Sequence, residues 1–107
     1  MANWIKQGDA FSMPVAAKLN GEYLNIADVD TVEFYIGDVR KLYPGDVTYD
    51  SGESVFLVPL TQEETFGFPA NGSVAVDVRV KFVGGDVLGP KNMTYVPVFD
   101  ARSEEVI

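Results

Sequence analysis

Sixteen carboxylates, five tyrosines and one tryptophan are the side chains with which this 107-residue chain could do chemistry, since it has neither histidine nor cysteine. That absence removes imidazole bases, thiol nucleophiles, disulfides and the usual ligands of zinc, copper, iron and haem. What carboxylates alone can do is bind calcium or cleave a glycosidic bond. Asp28 with Asp30, and Asp46 with Asp50 and Glu53, are the two groups close enough in sequence to be considered for calcium. Neither has the EF-hand spacing with its glycine and terminal glutamate, and Gly84-Gly85-Asp86 is not part of a calcium-binding nonapeptide repeat. A glycosidase pair would need a cleft that a small domain has little room for, and acidic residues in turns and on wet strand faces are ordinarily solvated. The aromatic side chains Trp4, Tyr23, Tyr35, Tyr43, Tyr49 and Tyr95 suit a different task, stacking on sugar rings from the outer face of a sheet. No glycine cluster leads into Lys-Ser or Lys-Thr at a helix start, so no phosphate loop is present. These residues imply no catalytic, cofactor or metal site, and hence a protein that is not an enzyme.

The elements that must position those side chains are short. Gly, Pro, Asn and Asp divide the chain into runs of about five to ten residues, the length of strands rather than helices. Phe11, Met13 and Val15 alternate with Ser12, Pro14 and Ala16, and the proline marks an edge strand. Lys18 to Tyr23, with Asn20-Gly21 at its centre, reads as a hairpin turn or loop, within a connection over 18–30 that carries Leu19, Leu24, Ile26 and Val29. Val32, Phe34 and Ile36 alternate with polar neighbours, and Val74, Val76, Val78, Val80 and Phe82 do so over a longer stretch that reads as the central strand. Pro44-Gly45-Asp46 predicts a hairpin between 39–43 and 47–49. Gly84-Gly85 predicts a two-residue hairpin that sets Phe82 opposite Val87. Thr61-Gln62-Glu63-Glu64 is a capping box, predicting one helical turn near 61–66.

About seven or eight strands with one helical turn make an all-β protein. Residues 1–107 are expected to form one domain, an antiparallel two-sheet sandwich of immunoglobulin-like character, with Val32, Phe34, Ile36, Leu57, Val76, Val78, Val80 and Phe82 in one core. Eight basic residues against sixteen acidic ones leave a net charge of −8, which excludes nucleic acid as a partner. The first residues lack the apolar run of a secretory signal, and no stretch approaches about 18 consecutive apolar residues. Synthesis in a cytoplasm, away from membranes, is therefore expected.

As an ensemble, Gly8-Asp9-Ala10-Phe11-Ser12, the strand Asp30 to Ile36, the run from Leu60 through Thr65 to Phe68-Pro69-Ala70-Asn71-Gly72, and Val76-Asp77-Val78-Arg79-Val80 resemble small β-sandwich proteins encoded by phages and prophages. The acidic tail Ser103-Glu104-Glu105-Val106-Ile107 fits the same pattern. Such proteins belong to tail or baseplate gene sets, and similar immunoglobulin-like domains form the N-terminal part of a baseplate upper protein. The resemblance implies a structural or assembly role through protein contacts, a virion as destination, and no catalytic or cofactor residues. A carbohydrate-binding β-sandwich module is the alternative that the aromatic residues suggest.

Two segments are apolar on both parities. In 55–60, Val55 and Leu57 oppose Phe56, Val58 and Leu60; in 93–99, Met93, Tyr95 and Phe99 oppose Val96 and Val98. A two-layer protein covers one face of each strand. The second face needs a packed loop such as 18–30, the helical turn at 61–66 or another subunit; the resemblance, with the edge strand near Phe11, implies the last, so the expected contact surface, for self-association or another virion component, is Phe56, Val58, Val96 and Val98, with Val106 and Ile107 of the tail as a second contact.

Overall fold

The computed structural model describes residues 4–90 and 93–107. Eleven strands lie among them: β1 (Ile5–Lys6), β2 (Phe11–Val15), β3 (Lys18–Leu19), β4 (Glu22–Tyr23), β5 (Val29–Ile36), β6 (Val39–Tyr43), β7 (Thr48–Asp50), β8 (Val55–Leu60), β9 (Gly72–Phe82), β10 (Val87–Leu88) and β11 (Thr94–Phe99). The one α-helix, α1, spans Gln62–Phe66. The fold is all-β, as the short punctuated runs predict.

A six-stranded sheet runs β1-β11-β9-β5-β6, with β10 also on β9, and it curls into a half-barrel. A three-stranded sheet, β2-β8-β7, lies across its concave side, and β3-β4 form a separate hairpin around Asn20-Gly21. The alternating runs fall where expected, β9 being the central strand with neighbours on both sides. One pairing departs from antiparallel geometry: β1 runs parallel to β11, Ile5 beside Val98. Two residues are too few for an alternation pattern, which is why this strand left no trace in the sequence reading.

The core lies between the two sheets. Val32, Phe34 and Ile36 of β5 and Val74, Val76 and Val80 of β9 face Met13 of β2 and Phe56, Val58 and Leu60 of β8. The Phe56 ring is the hub, with centroids 5.5 Å from Phe34, 5.2 Å from Tyr43 and 4.9 Å from Tyr49. This reverses the parity expected for β8. Phe56 and Val58 are buried, while Val55, Leu57 and Pro59 are only partly covered, so Leu57 belongs to the margin rather than the core. Alternation cannot choose between two apolar faces; three large side chains at 56, 58 and 60 fill the space under the half-barrel better than two.

Two turns also differ from expectation. Segment 39–43 pairs with β5, and 48–50 pairs with β8, so Pro44-Gly45-Asp46 carries the chain from one sheet to the other instead of closing a hairpin. The crossing is held by Leu42, whose N–H donates to Asp46 Oδ2 (3.0 Å) and whose carbonyl accepts from Val47 N–H (3.0 Å). At the other turn Val87 sits opposite Lys81, not Phe82. Gly85 N–H bonds Phe82 O at 2.9 Å and Gly85 has φ +100°, giving a three-residue loop whose last position is left-handed, as a glycine allows.

Candidate functional site

The capping box forms as expected. Thr61 Oγ1 accepts from Glu64 N–H (3.1 Å), and Glu64 Oε1 accepts from Thr61 N–H (2.8 Å). This fixes α1 between the 7–9 segment and β6. Thr65 is fully buried there; its hydroxyl accepts from Gly8 N–H (3.0 Å) and donates to Asp9 O (2.8 Å), while Gln7 Nε2 donates to Phe68 O (2.8 Å). Lys41 Nζ on β6 reaches Glu64 Oε2 at 3.0 Å. Burial pushes the Glu64 carboxyl up, but the Thr61 N–H and the Lys41 ammonium outweigh it and hold the group below its ordinary value. All these contacts are internal to the chain.

Three of the five carboxylates considered for calcium are likewise used by the chain itself. Asp50 Oδ1 accepts from Gly52 and Glu53 N–H, Asp46 Oδ2 from Leu42 N–H, and Asp30 Oδ2 from Thr31 Oγ1. Among the described residues no three acidic side chains gather as they would around a metal ion.

The six aromatic candidates do not assemble into one platform. Tyr43 and Tyr49 pack on Phe56, and Tyr23 lies on the β3-β4 hairpin with Lys18 Nζ 4.6 Å from its ring centre. Tyr35 and Tyr95 are exposed, opposite Asp77 and Ala75 of β9, so a whole strand separates them, and Tyr95 also borders the cleft between β2 and β9. Trp4 meets Phe99 edge to face, at 87° between planes, rather than presenting a flat surface.

What the fold does leave open is a cleft of about 640 Å³ between β2 and the part of the half-barrel built from β9, β10 and β11. The three strands of the small sheet do not reach across the whole concave face. Val78, Phe82 and Val96, partly buried, and Leu88, exposed, line the floor, with Met13 and Val15 on the facing wall. Lys18 is the one charged side chain among the described residues that line it.

The expected contact surface is thus divided. Phe56, Val58 and Val98 are buried in the core and offer nothing to a partner, a correction that follows from the reversed parity of β8 and from Val98 packing beside Ile5. Val96 lines the cleft. Val106 and Ile107 are exposed in the tail, which touches α1 where Ile107 N–H donates to Gln62 Oε1 at 3.1 Å. Sequence reasoning missed the cleft because its walls come from segments far apart in the chain. The one local sign was Val78 and Phe82 extending an apolar row beyond what three covering strands can reach. Among the described residues no helix is long and apolar enough to cross a membrane. In comparisons with known proteins no family model matches this chain, and no curated protein or solved structure matches it either.

Proposed function

We propose that this protein is a non-enzymatic structural or assembly protein of the phage tail or baseplate type, an immunoglobulin-like two-sheet sandwich open along one flank that acts through protein contacts. The observation that carries the reading is the apolar cleft bordered by a strand edge, a combination that suits another polypeptide. The residue pattern from Gly8 to Ser12, Asp30 to Ile36 and Leu60 to Gly72 adds the tail or baseplate assignment by resemblance. Synthesis in a cytoplasm with incorporation into a virion follows from the same reading.

The carbohydrate-binding alternative draws on the exposure of Trp4, Tyr35 and Tyr95. Trp4 and Tyr95 both line the cleft, but Tyr35 lies a whole strand away from Tyr95, and Trp4 is set edge to face on Phe99. Co-expression with the products of adjacent coding sequences, followed by size-exclusion chromatography and mass spectrometry, tests the two together. A stoichiometric complex with a tail or baseplate component is expected. Saturable binding on a glycan array, abolished by Trp4→Ala and Tyr95→Ala in a folded protein, with no protein complex, would overturn the structural reading.

A further inference from the structure

We propose that the cleft receives an extended apolar segment of a different protein, which adds to the free edge of β2 as a fourth strand of the small sheet; the inference rests on the protein-contact function proposed above. β2 lines the cleft along most of its length, whereas no residue of β8 lines it, so the cleft lies on the side of β2 turned away from β8, its one partner among the described residues. That side is where a further strand would pair.

The register of β2 on β8 shows what this edge has to offer. Ser12 stands opposite Pro59, and Pro14 opposite Leu57. Proline has no N–H to exchange, so both pairs are the non-bonded kind, and Phe11, Met13 and Val15 carry the bonds to β8. Ser12 N–H, Ser12 C=O and Pro14 C=O therefore point away from β8 along the free edge of β2; Pro14 lines the cleft, and Ser12 lies between two residues that line it, Phe11 and Met13. None of these backbone groups finds another partner among the described residues. An incoming backbone satisfies them; an acyl chain does not, and would leave them facing hydrocarbon. Five residues of β2 give a ladder of about 17 Å, and alternate side chains of the added strand would descend onto Val78, Phe82 and Val96.

The occupant is a foreign segment rather than this chain's own tail or a second copy. The tail is engaged at α1 through Gln62. Pro14 removes one outward donor from the edge, a loss suffered twice if two β2 edges pair and once with a foreign strand. Lys18, on a surface whose net charge is −8, specifies a carboxylate at the end of the segment nearest the β3-β4 hairpin.

The probes are two synthetic octapeptides of alternating valine and threonine, one carrying aspartate and the other lysine at one terminus, titrated into the full chain and followed by amide NMR. The aspartate peptide is expected to bind more tightly, by about tenfold, and to slow exchange of the Ser12 amide. Lys18→Glu should invert the preference. Ser12→Pro, which removes an N–H that β8 does not use, should weaken binding by at least about tenfold while the spectrum stays that of a folded protein; Val96→Glu, on the cleft floor, gives an independent loss. Binding of neither peptide at millimolar concentration, or binding that leaves Ser12 exchange unchanged, would overturn the proposal. So would decanoate occupying the cleft in their place, or dimerisation with Ser12 protected in the absence of peptide. A partner complex that survives both Ser12→Pro and Val96→Glu would sink strand addition and leave the protein-contact function standing; the glycan outcome above would sink both.

Discussion

The half-barrel is finished differently on its two sides. At the α1 end side chains close on one another: Thr65 bonds the 7–10 loop, the Phe66 ring lies where a Cβ on Gly8 would come within 2.8 Å of it, and Glu64 ties the helix to β6. Along β2 the same sheet lies uncovered, and its floor is the continuation of the very strand, β9, that forms the middle of the core. Val80 and Val78 are two residues apart on one face; the first is buried, the second only partly. The difference lies not in residue type but in how far the covering sheet extends. A short region of strong local signals closes one side, and the missing width of a three-stranded sheet leaves the other open.

Substitutions can break this contrast in order of size. Phe56→Ala, at the hub of the filled side, should cost about 3–5 kcal/mol and bring urea-induced unfolding close to the native baseline. Thr65→Val keeps the shape but strands the Gly8 N–H, and a loss of about 1–3 kcal/mol at unchanged m is expected in the same assay. Adding a single carbon sharpens the comparison. Gly8→Ala, at φ +88° against the Phe66 ring, should destabilise by about 1–3 kcal/mol, whereas Val78→Ile extends into the cleft and should be neutral or gain up to about 0.8 kcal/mol. Equal effects from the two would mean that the cleft closes in solution.

The smallest effect is one of pH. Because the Glu64 carboxyl is held lower in the folded chain than in the unfolded one, its contribution is complete above the unfolded value of about 4.3 and is lost as pH falls through the folded one. Glu64→Gln should therefore lower the urea midpoint at neutral pH and flatten its decline in acid, without altering peptide binding at the cleft.

Much of this contrast is legible in the chain, and unequally so. Thr61 to Glu64 encodes its helix turn within four residues, and Val32-Phe34-Ile36 shows which way it faces because the residues between are polar. Segment 55–60 has no polar parity to read, so its buried side is settled only by the half-barrel beneath it. The turn residues at 44–46 show where the chain bends but not that it leaves one sheet for another, since that depends on β5 and β8 offering better edges than the two flanking segments offer each other. The cleft is less legible still: it is a space between segments, and a pattern of residues describes what fills space.

The parallel contact of β1 with β11 places residues roughly ninety positions apart side by side. During synthesis Ile5 has no strand to join until Val98 and Phe99 leave the ribosome, so β1 is seated later than the strands that pair with nearer neighbours. Until then Val98 lacks its neighbour Ile5 while the edge at β2 is bare throughout, so the nascent chain is open to stray pairing at both places, and only the first is closed in the finished fold.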